Sequence, residues 1–320
     1  MNEREIIDLI TKSLGSLNKN FSERGNDVNW FLYEGKRIVI SCDMLVQSTD
    51  LPKGFPLFLA SRKSIVSCIS DFAAKGVKPM LALTSIALPR GIENRDIRDI
   101  VKGYKMVERE FGIKIIGGDT NEAKEFIFDT FLLGISDKVV SRKGAREGDV
   151  IFVSDYFGYS SSGLKIMLYN LKAKDKFKEK ALKAFTKPKP KLNFGILLNQ
   201  RDLMSSSIDS SDGLAISLYQ LAEANNVSMV LNYFPANEEI YSFAELNKID
   251  PKELIFYGGE EYEMVATASK ENFEEIRRIG KKLKVKVIPI GRVEKGEPKV
   301  FYYDGKTKFK IERRGFTHLA

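Results

Sequence analysis

Three short apolar runs in this chain each stop on a carboxylate. Ile115-Ile116 gives way to Gly117-Gly118-Asp119-Thr120, and Ile38-Val39-Ile40 to Ser41-Cys42-Asp43. Ser207-Ile208 gives way to Asp209-Ser210-Ser211-Asp212-Gly213. Runs of this kind read as strands, and a strand that ends in aspartate presents an oxygen at the rim of its sheet. Several such strands side by side make a nest of oxygen ligands. A fold that gathers them must hold its carboxylates together against their mutual repulsion, which a cation between them relieves.

The rest of the composition narrows what such a nest can do. The chain has 320 residues, 43% of them hydrophobic, enough for two domains with real cores. No apolar run approaches the roughly 20 residues needed to span a bilayer. The first residues carry Glu3, Glu5 and Asp8, which is unlike a signal peptide, so a cytoplasmic protein is expected. Two cysteines, Cys42 and Cys68, are too few for a disulfide framework or a four-cysteine zinc site. The single histidine, His318, argues against histidine-rich metal sites and most histidine acid/base schemes. Carboxylates, hydroxyls, lysine, arginine and backbone remain for chemistry.

The formal charge is +8, and much of the excess lies in Lys172–Lys191. One reading is a patch that binds nucleic acid or another anion. The other is a solvated helix face followed by a proline-rich turn. The second is preferred, because few aromatics or arginines interleave the lysines, and no nucleic-acid partner is expected.

Taken in order, Glu3–Leu14 has helical apolar spacing, and Trp30–Tyr33 and Arg37–Cys42 read as strands around Glu34-Gly35. Ala60–Gly76 is a helix with Ile65, Ile69, Phe72 and Ala73 on one face. Ser64, Ser67, Asp71 and Lys75 fall on the other, which leaves Asp71 free to point away from the core. A strand over Leu81–Leu88, a helix over Asn94–Phe111 and strands at Lys114–Ile116 and Phe126–Ile135 follow. The charged, glycine-punctuated segment Ser141–Asp149 suggests a boundary near Asp137, with domains 1–137 and 138–320. In the second, strands are expected at Val150–Ser154, Met229–Tyr233, Met264–Ala268 and, last, Val285–Ile290. Helices are expected at Leu164–Leu171, Leu214–Ala224 and Phe273–Leu283, with the lysine-rich helix between the first two. Gly158–Gly163 reads as a small-residue loop before a helix, able in principle to receive an anion. Alternating helices and strands make the class α/β or α+β.

Gly305-Lys306-Thr307 has the tail of a Walker A loop, but Val300 stands where its first glycine belongs. No kinase catalytic loop and no G-x-S-x-G elbow is present. Asp27, Asp43, Asp71, Asp119, Asp209 and Asp212 are the better lead, each at an element end or beside small residues. A cluster of them would suit Mg²⁺ and phosphoryl transfer, where cations neutralise developing charge. Turn and cap aspartates are the alternative, and spacing does not decide between them.

A chain-long resemblance does. Ser41–Val46 resembles S-T-D-T-L-V, Ser70–Gly76 resembles S-D-L-A-A-M-G, and Gly117–Thr120 matches G-G-D-T. Ser141–Asp149 resembles R-S-G-A-x-x-G-D, and Lys187–Lys191 resembles R-P-x-P-R. Ile208–Leu214 resembles I-D-x-S-D-G-L, Gly258–Glu263 resembles G-G-E-D-Y-E, and Gly315–His318 resembles G-[WY]-x-H. In this order and spacing they are similar to the thiamine-monophosphate kinase family, of the superfamily that includes aminoimidazole ribonucleotide synthetase and selenophosphate synthetase.

The resemblance implies two α/β domains, the first an ATP- and Mg²⁺-binding domain whose sheet joins that of a second copy in a shared barrel, the second an α/β sandwich. It implies ATP and thiamine monophosphate as substrates, direct in-line transfer and a homodimer. The implied metal ligands are Asp27, Ser41, Cys42, Asp43, Asp71, Asp119, Asp209 and Asp212, with Asp71, Asp119 and Asp209 central to catalysis. Gly118, Asp119, Arg142 and Ser211 would contact the nucleotide; Asp50, Glu260 and Phe316 would face the thiamine moiety. Among the departures from the family's pattern, Cys42 replaces threonine, Asn26 replaces the first aspartate of G-D-D, Asp50 stands for a histidine, and Val101 stands for a nucleotide-side tyrosine, with Tyr104 one turn on. They keep open a related ATP-dependent enzyme with another phosphate acceptor.

Overall fold

The structure is a computed structural model that describes residue 1 and residues 3–319. After helix α1 (Glu3–Ser13), a six-stranded sheet is built from β1 (Asn29–Tyr33), β2 (Lys36–Val46), β3 (Pro79–Leu88), β4 (Lys114–Gly117), β5 (Thr120–Glu122) and β6 (Ile127–Ser136). Its order is β1-β2-β6-β3-β4, with β5 continuing beside β3. The one-turn helix α2 (Gln47–Asp50) follows β2, and the long helices α3 (Leu57–Lys75) and α4 (Asn94–Phe111) flank β3 in sequence.

Period-two burial runs along this sheet. On β2, Val39, Ser41 and Leu45 are buried, and on β6, Phe128, Thr130 and Leu132. This face packs on α3 through Ile65, Ile69 and Phe72. The opposite face carries Met44, Leu83 and Ile135, all exposed, and no helix among the described residues covers it.

The second sheet has seven strands: β7 (Val150–Val153), β8 (Ser206–Ser210), β9 (Ser228–Leu231), β10 (Glu263–Ala268), β11 (Ile288–Glu294), β12 (Val300–Tyr303) and β13 (Lys308–Lys310). Their order is β13-β12-β9-β11-β7-β10-β8. Helices α5 (Tyr159–Tyr169), α6 (Asp175–Thr186), α7 (Leu192–Gln200), α8 (Leu214–Asn225), α9 (Glu238–Leu246), α10 (Lys252–Ile255) and α11 (Lys270–Leu283) belong to this half. The central strands are buried on both faces. Ile151 and Val153 join one core with Leu218 and Phe243, while Phe152 joins another with Phe194 and Ile276. Such strands read as continuous apolar runs.

The halves meet where α3 packs on α7 and β8. A Cβ at Gly195 would come within 1.8 Å of the Ala73 carbonyl, so glycine is what permits this approach. The Asn199 side chain donates to the Gly76 carbonyl at 3.0 Å, and Ser207 Oγ donates to the Ala74 carbonyl at 2.5 Å. This contact brings the end of α3 against the start of the Asp209 motif.

Several sequence expectations shift. The helix expected at Leu164 starts at Tyr159, so most of the Gly158–Gly163 segment is its first turn. Its N-terminal amides are already met: Glu261 accepts from Gly158 N at 2.8 Å and from Ser160 N and Ser161 N at 3.3 Å. The carboxyl group that this segment receives is the protein's own Glu261, which burial pushes up to about 8. The strand expected to be last is followed by β12 and β13, and α7 begins directly after the Pro188–Pro190 turn. The lysine-rich segment forms α6, which buries Phe177, Ala181 and Phe185.

Candidate active site

Helix α3 supplies the spine of the site. Lys63, Ser67, Asp71 and Lys75 recur every four residues and so share one helix face. That face is not solvent-exposed, as its polarity suggests; Lys63 and Lys75 are each only 1% exposed. Asp71 does point away from the apolar core, but into a buried polar seam between the two halves. Each member of the stripe meets a partner from another element. Lys63 pairs with Glu260, Ser67 hydrogen-bonds Asp43, Ser41 Oγ donates to Asp71 at 2.6 Å, and Lys75 pairs with Asp27 at 2.7 Å.

Strand β2 delivers its residues by alternation. Ser41 is buried on the α3 side, and Asp43 follows on that same side two residues later. Cys42 lies on the opposite, exposed face, where its thiol meets Asp129 at 3.4 Å. The thiol is therefore turned away from Asp71, and any ligand role for Cys42 falls to its backbone carbonyl. From the second half, β8 brings Asp209, which accepts from Ser70 Oγ at 2.8 Å. Carboxylate oxygens of Asp27, Asp71 and Asp209 lie within 4.8 Å of one another.

The electrostatics divide these acids. Burial pushes Asp209 up to about 7, with Asp27 and Asp43 adding to the effect. Burial, then Asp209 and Asp43, push Asp71 well above the ordinary carboxylate range. Asp43 and Asp212 are each pushed to about 6, first by burial and then by neighbouring carboxylates. Burial would raise Asp27 too, but Lys75 and Arg142 outweigh it and hold the group low. Buried carboxylates crowded together and, among the described residues, not ion-paired fit hard divalent ions such as Mg²⁺, which take oxygen ligands.

A cavity of about 630 Å³ opens over this cluster. Asp43, Asp71, Asp209, Asp212 and Ser211 line it, and so do Asp50, Glu260 and Phe316. The structure thus brings the phosphate-side acids and the expected acceptor-side residues to one chamber. Asp50 accepts from Val46 N at 2.6 Å, which closes α2 on itself. Glu260 sits at φ 69°, a left-handed conformation beside Gly258-Gly259, and its N–H donates to Ser211 O at 2.5 Å. Phe316 is half exposed; its N–H donates to the Asp212 carbonyl at 2.9 Å, and its ring meets His318 edge-on at 4.8 Å.

Six expected residues do not line this cavity: Asp27, Ser41 and Cys42, whose contacts are given above, and Arg142, Gly118 and Asp119. Arg142 hydrogen-bonds Asp27 and donates to the Gly25 carbonyl at 2.9 Å. Gly118 and Asp119 are exposed where β4 hands over to β5. A Cβ on Gly118 would fall 1.8 Å from the Thr84 carbonyl, so β3 alone already requires glycine there. The Asp119 carbonyl accepts from Ile86 N at 2.9 Å, and the residue is exposed.

Sequence reasoning missed the two lysines as site residues. Lys63 lies with its ammonium 4.0 Å from the Phe185 ring as well as on Glu260, and Lys75 also donates to the Ser207 carbonyl. The signal was available: continuing the four-residue spacing from Asp71 in both directions reaches both of them.

Fold and site together define a class. Residues 25–136 match the AIR synthase related protein N-terminal domain and residues 146–304 the corresponding C-terminal domain. The thiamine-monophosphate kinase of Nitrosopumilus maritimus is 39% identical over 319 residues, covering 100% of this chain and 99% of the relative. That of Pyrococcus horikoshii is 30% identical, covering 100% and 96%. A solved structure described as AaThiL complexed with AMPPCP and TMP superposes with a TM-score of 0.87 at 28% identity, covering 99% of this chain and 97% of that one. The chain belongs to the thiamine-monophosphate kinase family.

Proposed function

We propose that this protein transfers the γ-phosphoryl group of ATP to thiamine monophosphate, giving ADP and thiamine diphosphate. A phosphate oxygen of the acceptor bonds to the γ-phosphorus, and the bond from that phosphorus to the ADP oxygen breaks in line. The observation that carries the reading is the single chamber in which uncompensated aspartates face Asp50, Glu260 and Phe316. Family membership supports it, as does the kinship with a protein held with an ATP analogue and TMP.

Asp43, Asp71, Asp209 and Asp212, with Ser41 and the Cys42 carbonyl, would hold Mg²⁺, which supplies charge neutralisation to phosphates when bound. Asp119 would join them from the rim, and Asp27 is considered separately below. Gly118, Ser211 and Arg142 serve the nucleotide end in this reading. Phe316 offers a flat apolar surface to the thiamine rings, and Glu260, fixed by Lys63, offers a carboxylate. The chain's own contribution is positioning: α3 and β8 hold their acids rigidly from opposite halves, so little reorganisation is left for the reaction.

The open face of the first sheet supports pairing of two copies. Met44, Leu83, Ile116 and Ile135 are exposed there or at its edge, and exposed apolar side chains gathered on one face suit an interface. We assign this face to a homodimer in which the domain of residues 1–137 joins its partner's sheet and that of residues 138–320 stays outside. No helix among the described residues is long and apolar enough to cross a membrane, and a cytoplasmic site of action suits an ATP-dependent biosynthetic step.

The test is ADP release with and without thiamine monophosphate. Release that depends on this acceptor, with thiamine diphosphate formed in equal amount, supports the reading. Release that responds only to a different phosphorylated acceptor would move the protein to the alternative opened by Asp50.

A further inference from the structure

Within the acidic cluster one corner is already filled. Lys75 Nζ lies 2.7 Å from Asp27 Oδ2, and the Arg142 guanidinium holds Asp27 Oδ1. The carboxylate is 4% exposed and Lys75 2%, so neither charge is shared with solvent. Lys75 cannot swing away easily, because its ammonium also donates to the Ser207 carbonyl. The same Asp27 has an oxygen within 4.8 Å of both Asp71 and Asp209, which feel Lys75 or Arg142 at longer range but, among the described residues, form no ion pair of their own.

We propose that Lys75 is a built-in counter-cation that takes the place of one divalent ion at the Asp27 corner, so that external metal binds on the Asp71–Asp209 side alone. Charge accounting agrees. Against the motifs quoted above, Asn26 removes one carboxylate and Lys75, in place of methionine, adds one ammonium. One negative charge lost and one positive charge gained make two units, the charge of one Mg²⁺. Arg142 braces the pair from the second half, and its bond to the Gly25 carbonyl pins the Gly25–Asp27 loop over it. Lys75 is therefore a positioning residue: it acts on bound phosphate only through the cluster it completes. The inference rests on the metal reading above.

The experiment counts ions rather than turnover. Mn²⁺ bound per chain is measured by electron paramagnetic resonance with AMPPCP present, for wild type, Lys75→Met and Lys75→Met/Asp27→Asn. Methionine keeps the length of lysine without its charge. We expect the single variant to bind one more ion than wild type and the double variant to return to the wild-type number. The melting temperature of the single variant should also rise with Mg²⁺ by more than that of wild type. The proposal is overturned if the single variant binds the wild-type number and the double variant one fewer, since Asp27 would then be a ligand despite Lys75. Should the single variant not fold, the double variant, which removes both charges, decides alone: the wild-type count supports the proposal and a lost ion refutes it. Failure of the proposed reaction would show separately, as absence of thiamine diphosphate from wild type.

Discussion

Asp27 and Asp209 are neighbours in one buried cluster, yet they are treated in opposite ways. Asp27 has a lysine and an arginine and is held below the ordinary carboxylate range, although burial opposes this. Among the described residues the Asp209 carboxylate hydrogen-bonds the Ser70 hydroxyl and forms no ion pair, and it is pushed up to about 7 by burial and by its acidic neighbours. The depth of the site does not separate them; the supply of cations does. The protein neutralises one end of the cluster itself and leaves the other for something that arrives. Glu260, paired with Lys63, and Glu263, paired with Lys191 at 2.9 Å, share with Asp27 a partner cation, although burial still pushes Glu263 up. Asp43, Asp71 and Asp212 belong with Asp209. On this view Asp27 serves the fold and the Asp209 group the chemistry.

Substitution should pull the two groups apart. Asp209→Asn should lower turnover by about 10³-fold, the scale of losing a group that organises transferring phosphate. Its melting temperature without metal should not fall, because a strained charge has been removed. Steady-state ADP release and a thermal melt in EDTA check both halves, and a clear loss of stability would break the comparison. Asp27→Asn should do the reverse to the fold. It strands Lys75 and Arg142 without their carboxylate and should cost about 3 kcal/mol, read by urea unfolding.

Asp119 asks how far the second group extends. It lies at the exposed rim, so Asp119→Ala should leave the melt unchanged while turnover drops by about 10²-fold. Activity within a few-fold of wild type would remove it from the site. The smallest effect concerns pH. The folded value of Asp209 lies above its unfolded 3.8, so its contribution to stability is complete below that pH and is lost as pH rises through about 7. In EDTA the melting temperature should therefore decline over this window, with Asp43 and Asp212 acting in the same direction. Added Mg²⁺ should flatten the decline; an equal decline with Mg²⁺ would contradict a metal at these groups.

The acids were legible because strand ends announce them. Asp43 and Asp209 each close an apolar run, and period two on β2 alone predicts that Ser41 and Asp43 share a side. The four-residue spacing places Lys63 and Lys75 on the Asp71 face, but their burial is not legible, because lysine in a helix reads as solvent-facing and only tertiary packing against α3 buries them. The start of α5 was obscured in a similar way. Its Ser160-Ser161-Ser162-Gly163 composition suits a loop, and the carboxylate that secures its first turn, Glu261, comes from 100 residues downstream of Ser161. Ile115–Thr120 reads as a strand end, and β4 does stop at Gly117. Gly118, however, is needed there by the Thr84 backbone, whatever it also offers to phosphate. Residues that act through local pattern can be read from the chain; those that act through a partner far away in sequence need the fold.

The most direct test is the affinity of the Asp71→Asn variant for Mg²⁺, measured by calorimetric titration in the presence of AMPPCP. Asp71 lies at the centre of the uncompensated group, touching Ser41 from one half and facing Asp209 from the other. If these acids hold the metal that serves phosphoryl transfer, the variant should bind Mg²⁺ at least about tenfold more weakly than wild type. An unchanged affinity would contradict the account.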